Sequence, residues 1–131
     1  MWKISKQSFG FVLTFASPMS AQDMQDWVAE SKRVLSEPLP GEWGVVVDMR
    51  ELSALTAEAQ KLMQTGQALY KQAGMKRSAV AVRDAVTAMQ FRRLARNSGI
   101  DQWERYINVQ QVAQWQSAAK RWVVEGTEPP Q

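Results

Sequence analysis

Residues 2–6 (Trp-Lys-Ile-Ser-Lys) alternate apolar and polar, and residues 9–16 do the same, which puts Phe9, Phe11, Leu13 and Phe15 on one side. Period-two alternation over such lengths predicts half-buried strands. Only Gln7-Ser8 separates them, so the pair predicts an antiparallel hairpin. The period then changes. Met24, Trp27, Val28, Ser31, Val34 and Leu35 recur at helical spacing, with Asp26, Glu30, Lys32 and Arg33 off that stripe. Ser20 suits the N-cap, Asp23 the first turn, and Pro38 and Pro40 end the helix.

Trp43–Met49 is a strand of another kind. Its Val45-Val46-Val47 run does not alternate, as expected of a central strand covered on both faces. Ala59, Leu62, Met63, Gly66, Leu69, Tyr70 and Ala73 then line one side of a second helix, with Gly74 suited to its left-handed end. Arg77–Arg83 reads as a strand, and Asp84 caps a third helix that runs to about Ser98 and stops at Gly99. Trp103–Val109 is the last strand; Val112, Trp115, Ala119, Trp122 and Val123 face one way on a final helix. The order β-β-α-β-α-β-α-β-α predicts a single α/β domain over residues 1–124. Its five-stranded sheet is mainly parallel, with right-handed crossovers and an antiparallel N-terminal edge strand. Residues 125–131 (EGTEPPQ) are expected to form a disordered tail.

Composition narrows the chemistry. The 131 residues include no cysteine and no histidine, which removes disulfides, thiolate and imidazole catalysis and the usual zinc sites. No phosphate-loop, dinucleotide or calcium-loop pattern occurs, and the acids are scattered, so the expectation is a chain that is not an enzyme and has no cofactor. No stretch approaches the roughly 18 apolar residues of a membrane span, and nothing resembles a secretory leader; the expected location is the cytoplasm. The net charge is only +3, yet Lys76–Arg105 holds seven basic residues against three acids, so that segment carries +4 and the remainder −1.

The early tryptophan and hairpin (Trp2 to Phe15) and the strand ending Val45-Val46-Val47-Asp48-Met49-Arg50 carry a resemblance. So do Gly74–Asp84 (GMKRSAVAVRD), the basic third helix and the closing strand with its tryptophan-bearing helix. Over residues 2–124 the pattern resembles the SpoIIAA-like family, related to the STAS domains (sulfate transporter and anti-sigma factor antagonist). The resemblance implies a small domain of four strand–helix units with the N-terminal strand at an edge. It also implies a regulatory, protein-binding role, in which a serine or threonine at the start of the helix after the central strand is phosphorylated. The regulators carry paired serines and a glycine after the aspartate; here the segment is Asp48-Met-Arg-Glu-Leu-Ser-Ala-Leu-Thr56.

Three groups of residues are candidates. Asp48, Arg50, Ser53 and Thr56 should lie beyond the carboxyl end of a central strand, where ligands of open α/β sheets collect. A phosphate on Ser53 or Thr56 would gain from the helix N-terminus and from Arg50. The simpler reading makes Thr56 an N-cap and has Asp48 bond local backbone amides. Arg92, Arg93 and Arg96 form a basic surface for an acidic protein, for anionic lipid or, last, for nucleic acid; a solvated helix face is the plain alternative. Trp27, Trp115 and Trp122 are core, or line an apolar pocket made adaptable by methionine, or face a second copy. The expected function is a non-catalytic regulatory or protein-interaction module with a protein partner. The alternative is a domain that binds a small apolar ligand or lipid.

Overall fold

The computed structural model describes residues 1–53 and 55–130, Leu94 by its backbone alone. The elements are β1 (Trp2–Gln7), β2 (Gly10–Ala16), α1 (Ala21–Leu35), β3 (Gly44–Glu51), α2 (Ala57–Gln72), β4 (Ser78–Val82), α3 (Ala85–Ser98), β5 (Glu104–Asn108) and α4 (Trp115–Glu125), with one 3-10 turn at Ile100–Gln102. The strands lie in chain order, β1-β2-β3-β4-β5. β1 pairs antiparallel with β2, Trp2 opposite Phe15 and Gln7 opposite Gly10, and the other neighbours are parallel. This is the α/β architecture that the change of hydrophobic period predicts.

Local chemistry sets the helix starts. The Ser20 hydroxyl accepts from the Asp23 amide at 3.1 Å while the Asp23 carboxylate accepts from the Ser20 amide at 2.9 Å, a reciprocal capping box. Thr56 accepts from the Ala59 amide at 3.2 Å, and Asp84 from the Thr87 amide at 2.8 Å. Each side chain satisfies one of the amides that a helix N-terminus leaves without a partner.

The sheet separates two unequal layers. On one face Phe11, Leu13 and Phe15 of β2, Val45 and Val47 of β3, and Val80 and Val82 of β4 meet α1, α2 and α3. On the other, Val46, Ala79, Ala81 and Ile107 meet α4. β3 is therefore covered twice, which is why its valines do not alternate with polar residues. Phe9 departs from the expected alternation. It lies in the turn between the hairpin strands and packs with the α4 layer, on the face opposite Phe11.

An aromatic group closes the three-helix layer. Trp27 stacks on Tyr70 with centroids 6.1 Å apart, and Phe15 meets Trp27 edge-on at 4.9 Å. The buried Tyr70 hydroxyl pairs with Ser31 at 2.8 Å, and burial pushes its pKa up to about 12. Gly66 lets α2 approach α1 this closely, because a Cβ there would stand 2.1 Å from Cζ3 of Trp27. Trp27 is fully buried, and Trp115 and Trp122 are buried on the α4 side.

Candidate functional site

The first candidate region lies where β3 hands the chain to α2. Alternation along β3 turns Asp48 and Arg50 to the same face as Val46, the face that α4 covers. The Arg50 guanidinium donates from Nε and Nη2 to the two carboxylate oxygens of Asp48, both at 2.9 Å. The Arg50 backbone amide also donates to Asp48, at 3.1 Å. The guanidinium carbon sits 4.7 Å from the ring centroid of Trp115 on α4. The bond to Asp48 raises the Arg50 pKa further and holds it charged. Its fork is thus used by a neighbour two residues away and one of its faces by a tryptophan.

Ser53 and Thr56 do not join that pair. The Ser53 hydroxyl lies 2.7 Å from the hydroxyl of Ser17, which also accepts from the Ser53 amide at 2.7 Å. The contact ties the segment after β3 to the segment after β2. Thr56 serves as the N-cap of α2. The four residues share one end of the sheet but form three separate arrangements.

The second region is the corner of α3 and β5. The arginines there divide by depth. Arg92 is half-buried and donates from Nη2 to the carbonyl of Tyr106, at 3.1 Å, on the edge strand β5. The bond occupies one carbonyl of that edge strand. Arg93 and Arg96 are exposed, and neither has an ion-pair partner among the described residues. Val86 and Met89 stand beside them on α3, 59% and 55% exposed. Val86, Met89, Arg93 and Arg96 follow at i, i+3, i+7 and i+10, one stripe along the helix. α3 itself contains no acidic residue.

Beneath this corner lies a group that the hydrophobic pattern did not single out. Glu104, at the start of β5, is buried. Ser78 donates to its Oε1 at 2.7 Å, and the Tyr106 hydroxyl donates to its Oε2. Burial raises the Glu104 pKa above the ordinary carboxylate value, against the opposing pull of these two hydrogen bonds. Burial likewise raises the Tyr106 pKa, helped by the adjacent carboxyl. The signal was present in Trp103-Glu-Arg-Tyr-Ile-Asn-Val109: Glu104 and Tyr106, two apart on a strand, must share a face.

Of the expected tail, residues 125–130 are described and Gln131 lies outside the described residues. Glu125 ends α4, and Gly126, at φ 73°, reverses the chain. Its amide bonds the Trp122 carbonyl at 2.9 Å, and the Thr127 amide bonds that of Arg121 at 3.3 Å. The returning segment brings the Glu128 carboxylate to Arg105, 2.9 Å from both Nε and Nη2. Arg105 lies over the ring of Trp122, 4.2 Å from its centroid, and Pro129 is buried. The tail is held because it carries one acid and one apolar ring where the domain offers a guanidinium and a recess.

Trp27, Trp115 and Trp122 do not converge, since Trp27 belongs to the three-helix layer and the other two to the α4 layer. The Trp122 Nε1 donates to the Ser78 carbonyl at 2.9 Å, which pins α4 to β4. Among the described residues no group of three or more acids is placed to hold a metal ion, and no helix is long and apolar enough to cross a membrane. No family model, no curated protein and no solved structure matches the chain.

Proposed function

We propose that the chain is a non-catalytic protein-interaction module of the STAS-like type, and that it offers the outer stripe of α3 to an acidic protein surface. The exposure of Val86 and Met89 beside two arginines that have no ion-pair partner among the described residues carries this reading. Methionine and arginine are favoured at interfaces, and a surface that combines apolar area with uncompensated charge gains both burial and selectivity from an acidic partner. The N-terminal strand lies at an edge of the sheet, which is the placement that the resemblance implies. The β3–α2 turn is the weaker contact surface, because Arg50 is already engaged by Asp48 and Trp115.

Cross-linked capture from the source cells tests the reading with three forms of the full chain. Wild type and the turn variant Ser53→Asp/Thr56→Asp should recover the same partner. Met89→Ser/Arg93→Glu should lose it at least tenfold while folding normally, since exposed substitutions change stability by about 0.5 kcal/mol or less. The reverse pattern would place the contact at the turn and sink the proposal.

A further inference from the structure

The docked tail borders an open surface cleft of about 220 Å³ between α3 and β5: Pro129 forms one wall, and Arg92, Arg96, Asp101, Glu104, Arg105 and Tyr106 line the rest. We propose that this cleft and the adjoining seat of Glu128 and Pro129 form one groove for an acidic, proline-containing peptide segment of a partner protein, and that the chain's own tail covers only the end of it nearest Arg105. The proposal rests on the module reading above only in taking this side of the molecule as the contact side.

The chemistry of the present occupant identifies the ligand class. Glu128 meets Arg105 through two charge-assisted hydrogen bonds, and the ion pair holds its carboxyl below the usual range. Arg105 is braced in turn by Trp122 and by its own bond to the Glu104 carbonyl at 3.1 Å, so the fork is set before any carboxylate arrives. Pro129 follows directly and is buried, while Pro130 is exposed. An acid followed by proline therefore fits an arginine followed by a recess. The ring also limits the freedom that a peptide loses on docking.

The tail fits the groove but does not saturate it. It brings one carboxylate, whereas Arg96 also lines the cleft and has no ion-pair partner among the described residues. Glu128 is well exposed in its pair, with 60% of its side chain accessible, so the attraction is screened. Beyond the helix-capping bond of Thr127, no backbone hydrogen bond holds residues 128–130 among those described. Such an occupant stays mainly because it is tethered, which gives it an effective concentration on the order of millimolar. A partner segment with a second acid within reach of Arg96 makes the contact that the tail leaves unmade.

The test uses full-length protein and synthetic peptides, followed by amide chemical shifts. The probes are GTEPPQ, the sequence of residues 126–131, an acid-extended GTEPPEE, and GTEAAEE without proline. In the variant Glu128→Ala/Pro129→Ala, GTEPPEE should bind at least tenfold more tightly than in wild type and shift Arg92, Arg96 and residues 104–106. Adding Arg105→Gln should remove the binding, and GTEAAEE should bind several-fold more weakly than GTEPPEE. Equal affinity for wild type and tail variant, or shifts elsewhere, would overturn the groove. Equal binding of GTEAAEE would reduce it to a charge patch and overturn the proline requirement.

If the tail variant does not fold, wild type decides. Saturating GTEPPEE should move the Thr127 and Glu128 amides to free-peptide positions; a tail that stays docked is a structural strap, and the proposal falls. Tail shifts that depend on protein concentration without peptide would assign the groove to a second copy and count against it. The outer stripe of Met89 and Arg93 is untouched by these titrations. A negative result here leaves the capture experiment standing, and a negative capture leaves the groove standing.

Discussion

Arg50 and Arg96 are the same side chain in opposite circumstances. At the end of β3, a strand's alternation returns Asp48 to the side of Arg50, and α4 lays Trp115 against the guanidinium. On α3, the nearest positions on the stripe are Arg93 and Met89, which offer Arg96 no carboxylate. One arginine is engaged by the fold, and the other has no ion-pair partner among the described residues. A basic residue at the mouth of an α/β sheet is therefore a poor guide to binding until its carboxylate neighbours have been counted. The plain helix face proves the more available surface.

Three outcomes would break or sharpen that contrast. The largest concerns Trp115, which belongs to the α4 core and also supports Arg50. Trp115→Ala should cost about 3–5 kcal/mol, as expected for a buried tryptophan, and denaturant unfolding measures it. A loss no larger than that of an exposed residue would mean that the turn is not bound to the core.

Asp48→Ala comes next. The Asp48 side chain is 15% exposed and its Arg50 partner 40%, so the pair is partly screened. With that discount, losing two charge-assisted bonds and one backbone acceptor should cost about 1–2 kcal/mol. The Arg50 Nε proton should also exchange faster with solvent. Unchanged stability and unchanged exchange would make Arg50 as open as Arg96.

The smallest effect tests the α3–β5 corner from below. Glu104 has its pKa raised from 4.5 by burial, so folding favours its protonated form. That contribution is complete below pH 4.5, the unfolded value, and is lost as pH rises through the higher folded value. Glu104→Gln should flatten the decline of melting temperature over that window. Parallel melting profiles for the two proteins would show that Glu104 ionises as freely in the fold as outside it.

The order of elements could be read from the chain because each boundary is local. Ser20, Thr56 and Asp84 cap helices through amides three residues away, and Gly99 ends α3 in the left-handed conformation. The sites were harder because their partners are remote. Arg50 finds Trp115 from another element, Ser53 finds Ser17, and Arg105 finds Glu128 across α4. A tail of Gly, Thr, Glu and Pro has the composition of disorder, and its partners, the Arg105 guanidinium over Trp122 and the recess that takes Pro129, lie in other elements. Glu104 was readable in principle, since Tyr106 two residues on is inward-facing, but a carboxylate draws attention as a surface residue first.

The uneven coverage of the sheet has a consequence in time. A ribosome delivers the five strands and three helices of one layer before it delivers α4. Val46, Ala79, Ala81 and Ile107 have no other helix over them, so this strip of the sheet waits for α4 to be covered. At about 5–20 residues per second the stretch after β5 through the end of α4 takes on the order of one to a few seconds to make. That face of the sheet is closed by a single element, and nothing made earlier in the chain can stand in for it.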